Sequence, residues 1–324
     1  MKNLVFVVGA RPNFMKVAPI LRELERRDRG FSRALVHTGQ HYDAGMSEVF
    51  FDDLAIPPPD AYLEIGSGTH GAQTGRVMEA FEAYLLGLAE PPRGVVVVGD
   101  VNSTMAAALV AAKLGVDVAH VEAGLRSFDR TMPEEINRVV TDAVASLLLV
   151  SEPSGVENLR REGAPEQRVH LVGNVMIDTL VRELPQARGL DAPGALGLER
   201  GRYAAVTLHR PANVDDRARL EALVELLSWL GERIRVAFPV HPRTAKQLDR
   251  TGLRGRLAAA DGVMLLDPLG YRKNLGLMEG AGLLITDSGG IQEEAAYLGV
   301  PCLTIRPNTE RPVTGTRGTN RPWT

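Results

Sequence analysis

The chain has 324 residues, 44% of them hydrophobic and 24% charged, with a formal net charge of −3. That length suits two domains of about 150 residues, each with its own core, and the charge balance argues against nucleic acid as a partner. No apolar run approaches the ~20 residues that span a bilayer, the chain enters a strand pattern at Leu4 without a cleavable leader, and Cys302 stands alone, so an intrachain disulfide and a thiolate metal site are excluded. No paired His/Cys spacing suggests zinc, and the expectation is a cytoplasmic enzyme with no membrane partner and no metal.

The first strand, Leu4–Val8, runs into Gly9-Ala10-Arg11-Pro12-Asn13-Phe14-Met15-Lys16 and a helix over Phe14–Arg27. A small-residue turn at a helix N-terminus presents N–H groups to phosphate, and Arg11 and Lys16 add cationic donors. The turn is neither G-x-G-x-x-G nor a Walker loop, so a dinucleotide or P-loop assignment fails. Its plainer alternative is a tight βα turn with solvated charges. Strand Ala34–Thr38, a loop at Pro57-Pro58-Pro59 and a helix over Gln73–Leu88 follow. Strand Val95–Val98 then ends in Gly99-Asp100, and a helix over Thr104–Leu114 leads to strand Val116–Val121.

That strand opens the most informative stretch, His120-Val121-Glu122-Ala123-Gly124-Leu125-Arg126, with Pro133-Glu134-Glu135-Ile136-Asn137-Arg138 just beyond it and a helix over Glu135–Ala145. In a parallel sheet, ligands are held at the carboxyl ends of the strands. A carboxylate there is badly solvated unless it serves a ligand, a proton or a cation. Asp100, Glu122 and Glu134 therefore read as acid/base groups. The structural alternatives are that Glu134 and Glu135 behind Pro133 merely start a helix, and that Arg126, Asp129, Arg130 and Arg138 pair with acids locally.

Strands Leu147–Val150 and Val169–Val172 close the first series. After Gly173-Asn174, a helical stretch and a loop-like segment near Ala192-Pro193-Gly194, a second series runs through Ala204–Leu208, Val236–Val240, Val263–Leu266, Leu283–Thr286 and Pro301–Ile305. Helices are expected over Leu220–Leu230 and Gln292–Leu298. The alternation predicts an α/β protein of two doubly wound Rossmann-like domains, residues 1–173 and 174–324, with a ligand cleft between them. His209 and His241 end successive strands, where a histidine binds phosphate or moves a proton, or is simply a buried structural residue. In Thr286-Asp287-Ser288-Gly289-Gly290-Ile291-Gln292-Glu293-Glu294 the glycines let backbone approach a pyrophosphate at a helix N-terminus, and Ser288 caps that helix or donates to phosphate. Glu294 is placed to accept ribose hydroxyls. Arg311, beyond the last strand, is either a bidentate diphosphate donor or a surface arginine.

In order along the chain, Gly9-Ala10-Arg11-Pro12, Thr38-Gly39-Gln40-His41, Gly99-Asp100, the His120–Arg126 and Pro133–Arg138 stretches, Gly173-Asn174, His209-Arg210, Asp267-Pro268-Leu269, Ser288-Gly289-Gly290 and Thr309-Glu310-Arg311-Pro312 resemble the non-hydrolysing UDP-N-acetylglucosamine 2-epimerases. The resemblance implies a GT-B-like fold and reversible conversion of UDP-N-acetylglucosamine to UDP-N-acetylmannosamine, with no metal or other cofactor. It implies anti elimination of UDP, a bound 2-acetamidoglucal, and re-addition of UDP. Carried over residue by residue, Asp100, Glu122, Glu134 and His209 are catalytic, and Arg11, Lys16, Arg138, Leu269, Ser288, Gly289, Gly290, Glu294 and Arg311 bind substrate. A second UDP-N-acetylglucosamine acting as activator would meet Gln40, Arg76, Arg210 and His241. A homodimer and a role in cell-surface polysaccharide synthesis are further expectations. The chain stops at Thr324, where the family continues into a terminal helical segment, and Gly315-Thr316-Arg317 departs from the family run. Three alternatives stay open: a GT-B glycosyltransferase, a hydrolysing 2-epimerase, and a truncated nucleotide-sugar-binding protein without turnover.

Overall fold

Gly94–Val98, four valines behind a glycine, is buried along its whole length, as a strand covered by helices on both faces requires. The computed structural model describes residues 2–27, 30–39, 54, 56–306 and 309–323, and by contacts the chain divides into two units, Met1–Thr179 and Leu180–Thr324. In the first, β1 (Lys2–Val8), β2 (Phe31–His37), β3 (Ala61–Tyr62), β4 (Gly94–Val98), β5 (Asp117–Ala123), β6 (Leu147–Val150) and β7 (Val169–Leu171) form a parallel sheet ordered β3-β2-β1-β4-β5-β6-β7. In the second, β8 (Tyr203–Thr207), β9 (Arg235–Pro239), β10 (Val263–Leu266), β11 (Leu283–Thr286), β12 (Cys302–Thr304) and β13 (Asn320–Pro322) are ordered β10-β9-β8-β11-β12-β13, again parallel. Both orders step outward in one direction and then reverse, the doubly wound pattern. The reversal falls between β1 and β4 in one unit and between β8 and β11 in the other, the position at whose carboxyl ends such sheets generally hold ligands.

Each sheet is covered by apolar helix faces. Phe81, Ala107, Val110 and Leu159 pack on Val95, Val97 and Leu148 in the first unit, and Leu220, Leu223 and Leu227 pack on Val206, Val236 and Phe238 in the second. Three features differ from the sequence reading. Ala192–Ala195, expected as a loop, is a short helix whose Asp191 side chain accepts from the Gly194 N–H. Two edge strands, β3 and β13, are too short to leave an alternating pattern. Most important, β5 runs past Val121 to Ala123, so Glu122 lies within a strand rather than beyond one. The pairing of β5 with β6 shifts register between Val121 and Ala123, and Glu122 sits in that bulge with φ +73°. A bulge re-aims a side chain without ending the strand.

Gly124, with φ +81°, lets β5 pass the helix Pro153–Arg161, and a Cβ there would collide with the Gly155 carbonyl. Gly124→Ala combines a left-handed alanine with a backbone clash. We expect a loss of about 3 kcal/mol, read as a lower midpoint in urea unfolding.

Candidate active site

At the β1/β4 reversal of the first unit, the helix Arg11–Arg27 directs Lys16 inward, and its ammonium donates to Glu122 Oε2; both side chains are buried. Gly99 has φ +68°, and a Cβ on it would stand 2.7 Å from Lys16 Nζ and 3.5 Å from Glu122 Oε2. The ion pair therefore sits against the turn that carries Asp100. Asp100 Oδ2 accepts from Arg138 Nη1 at 2.5 Å, with Asp100 still partly open to solvent. Arg138 is itself fully buried and is held by Glu135 at 2.5 Å. Glu135 also accepts the Ser127 and Phe128 N–H groups at 2.9 Å each. Burial alone would raise Glu135, but the Ser127 N–H and the Arg138 guanidinium hold it below the usual carboxylate range. Asn137 ties the same turn by donating to the Asp100 carbonyl at 2.9 Å.

Lys16, Asp100, Glu122 and Arg138 thus come together, from four elements. Glu134 lies in the first turn of the helix Pro133–Val144, half-buried, and makes no side-chain hydrogen bond among the described residues. The opening turn differs from expectation. The Gly9 and Ala10 N–H groups both donate to Asn13 Oδ1 at 3.0 Å, so these donors are already taken, and Lys16 is turned to Glu122. The Arg11 side chain and Gln40 lie outside the described residues. Arg76 is exposed and donates to the Ser67 carbonyl at 3.0 Å.

The β8/β11 reversal of the second unit is built on Asp287, which is fully buried. Its carboxylate accepts the His209 and Arg210 N–H groups at 3.1 and 2.9 Å and the Asn213 amide at 3.1 Å, and lies 3.0 Å from His209 Nδ1. Burial alone would raise Asp287; the His209 ring and the surrounding donors hold it below the ordinary value. The anchored His209 ring stays partly exposed and lies 5.4 Å from that of His241. Arg210 Nε donates to the Asp287 carbonyl at 3.0 Å. Ser288, the N-cap of the helix Gly289–Leu298, makes no side-chain cap bond. Gly290 follows in the first turn.

Arg311 is buried, not a surface residue. It pairs with Glu293 at 2.7 Å and Glu310 at 2.6 Å, and Glu310 also holds Arg306 at 2.7 Å. A Cβ on Gly289 would stand 2.9 Å from Arg311 Nη1, so only glycine lets the helix start come this close to the cation. Burial would raise Glu310, but Arg311 and Arg306 hold it far below the carboxylate range. Glu294, buried one turn into the same helix, receives the Tyr271 hydroxyl at 2.9 Å. Leu269 stands half-buried in the loop after β10, just before the helix Tyr271–Glu279. Arg306 was not read from sequence, and Asp287, Glu135 and Glu310 stood in quoted motifs without a site role. Asp287 carries the signal that marked Asp100, an acid directly behind an apolar strand.

The UDP-N-acetylglucosamine 2-epimerase family profile matches residues 22–322. The chain belongs to that family. The epimerase is 44% identical over 323 residues to the UDP-N-acetylglucosamine 2-epimerase of Methanocaldococcus jannaschii, covering 98% of this chain and 87% of that protein. It is 42% identical over 311 residues to the UDP-2,3-diacetamido-2,3-dideoxy-D-glucuronate 2-epimerase of Pseudomonas aeruginosa, covering 95% and 84%. The crystal structure of the M. jannaschii enzyme in complex with UDP-GlcNAc and UDP matches with a TM-score of 0.91 and 42% identity, over 99% of this chain and 88% of that one. The Neisseria meningitidis enzyme bound to UDP-GlcNAc matches with a TM-score of 0.88 and 28% identity, over 98% and 86%. Among the described residues, no helix is long and apolar enough to cross a membrane.

Burial raises Glu294 from 4.5 to about 7, against the Tyr271 hydrogen bond and with the charge of Glu293 adding to the rise. A carboxyl whose folded value lies above its unfolded one stabilises the fold below the unfolded value, and that contribution is lost as pH rises through the folded value. Between these limits the loss is on the order of 3 kcal/mol. Glu294→Gln removes the titration, so its thermal stability relative to the native chain should rise between pH 5 and pH 8. A pH-independent difference would show that Glu294 does not titrate in this window.

Proposed function

We propose that this epimerase interconverts UDP-N-acetylglucosamine and UDP-N-acetylmannosamine without net hydrolysis, the first unit handling the C2 proton and the second holding UDP. The observation that carries the reading is the pairing of Lys16 with Glu122, in a left-handed bulge against the Gly99–Asp100 turn. Inversion at one carbon needs a proton acceptor on one face and a donor on the other, and Glu122 on β5, Asp100 in the turn after β4 and Glu134 are the carboxylates that would supply such a set. The C2–H bond is not acidic enough for simple carbanion formation. Its electron pair instead becomes the C1–C2 double bond as the C1–O bond breaks and that pair leaves with UDP. Protonation of C2 from the opposite face and return of the UDP oxygen to C1 complete an isomerisation that consumes nothing.

Departing UDP gains negative charge, so its stabilisation lowers the barrier. Arg311, the N–H groups at the start of the helix Gly289–Leu298, Ser288 and the Asp287-anchored His209 suit that task, with Glu294 accepting ribose hydroxyls and Leu269 a further substrate contact. Arg11, Lys16 and Arg138 complete the substrate-binding set. Activation by a second UDP-N-acetylglucosamine through Gln40, Arg76, Arg210 and His241, a homodimer, and a cytoplasmic location belong to the same proposal. The near-equal identity to the Pseudomonas diacetamido-glucuronate epimerase favours one second reading, the same C2 chemistry on a UDP-linked diacetamido uronic acid.

Proton NMR in D2O with each nucleotide sugar tests these readings together. Growth of the C2 epimer carrying deuterium at C2 is the expected result, with the preferred substrate identifying the sugar. Free N-acetylmannosamine with UDP would overturn the non-hydrolysing assignment. Glu122→Gln should slow C2 exchange by about a thousandfold while UDP binding, measured calorimetrically, is retained.

A further inference from the structure

His120 lies on β5 opposite Val97 of β4 and is completely buried. Its Nδ1 stands 2.6 Å from Asp142 Oδ1 and its Nε2 stands 2.8 Å from the Gly99 carbonyl. Both partners are acceptors. A carbonyl oxygen offers no proton, and Asp142 is kept ionised: its second oxygen accepts the Gly124 N–H at 3.0 Å and stands 2.7 Å from Arg126 Nη1. Burial would raise Asp142, but His120 and Arg126 hold it below the ordinary carboxylate value. Either neutral tautomer of His120 would press a ring lone pair against an oxygen lone pair at hydrogen-bond distance, with no water to intervene. Arg126 is matched in turn by Glu162 at 2.6 Å, so the group His120, Asp142, Arg126, Glu162 closes without net charge.

The two main-chain groups held in this way are informative. Gly99 and Gly124 both have left-handed backbone, φ +68° and +81°, a conformation that glycine enters and leaves at little cost. Gly99 precedes Asp100, and Gly124 follows the Glu122 bulge by two residues. We infer that His120 and Asp142 are a positioning pair, a doubly protonated imidazole and a carboxylate that pin these two glycines and so fix the spacing of Asp100 and Glu122. Neither member reaches substrate. The inference rests on the reading of Asp100 and Glu122 as the acid/base groups.

The intact chain, labelled with 15N-histidine, gives the first test. His120, assigned by its loss in His120→Asn, should show two strongly downfield ring N–H protons that exchange slowly with solvent. A single ring N–H would overturn the doubly protonated state. Kinetics supply the second test. Asp142→Asn and His120→Gln should each lower kcat for C2 exchange by about 100-fold, the scale of a misplacement near 1 Å. KM and UDP affinity should stay within about twofold, and the double variant should be no worse than either single one. An unchanged kcat, or kcat and UDP affinity lost together with thermal stability, would overturn the positioning role. A native chain that exchanges no C2 proton with either nucleotide sugar would overturn the acid/base reading instead, and the ring protons would still decide the state of His120.

Discussion

A carboxylate withdrawn from water has to be met by donors or cations, or it gives up its charge. In parallel sheets this requirement falls on one edge, because every strand delivers its last residues there. Glu122 is met by Lys16 from 106 residues earlier in the chain. Asp100 is met by Arg138, which Glu135 steadies, and Asp287 is met by a ring of N–H groups and the His209 imidazole. Each of these pairings closes only when the sheet order brings separate βα turns side by side. The site and the topology are therefore one arrangement.

The two units use buried charge differently. In the first, Glu122 and Asp100 each have a cationic partner, and Asp100 and Glu134 keep access to solvent. In the second, the acids hold donors in place. Asp287 fixes His209 and Arg210, and Glu310 stands between Arg306 and Arg311. Glu294 is the exception, a buried acid whose described partner is a phenol and whose proton is retained up to about pH 7.

Two of the four described non-glycine residues with left-handed backbone involve the buried acids of the first unit. Glu122 and Phe128 are both non-glycine residues with left-handed φ, +73° and +58°, six residues apart. Conformations of this kind cost of order 1–3 kcal/mol and persist where surrounding contacts over-determine them. Lys16 supplies that for Glu122, and the Glu135 carboxylate, holding the Phe128 N–H, supplies it for Phe128. Glu135 reads in sequence as ordinary helix initiation behind a proline. In the structure it supports both Arg138 and the strained loop.

The alternation of valine-rich runs with amphipathic segments was enough to determine two doubly wound α/β units, because strand and helix periods are local properties of the chain. Acids and glycines placed directly behind apolar runs likewise marked Asp100, Glu122 and the Ser288-Gly289-Gly290 turn, since solvation makes those positions costly without a purpose. Partner choice was not legible. That Lys16 would pair with Glu122, and that Arg311 would lie buried between Glu293 and Glu310, was not readable from the chain. Nothing in the stretch around His120 announced that its ring would bridge Asp142 and the Gly99 carbonyl in the turn after β4. Those outcomes depend on which turns the sheet order makes adjacent and on which donors remain once water is excluded, and only the tertiary structure decides either.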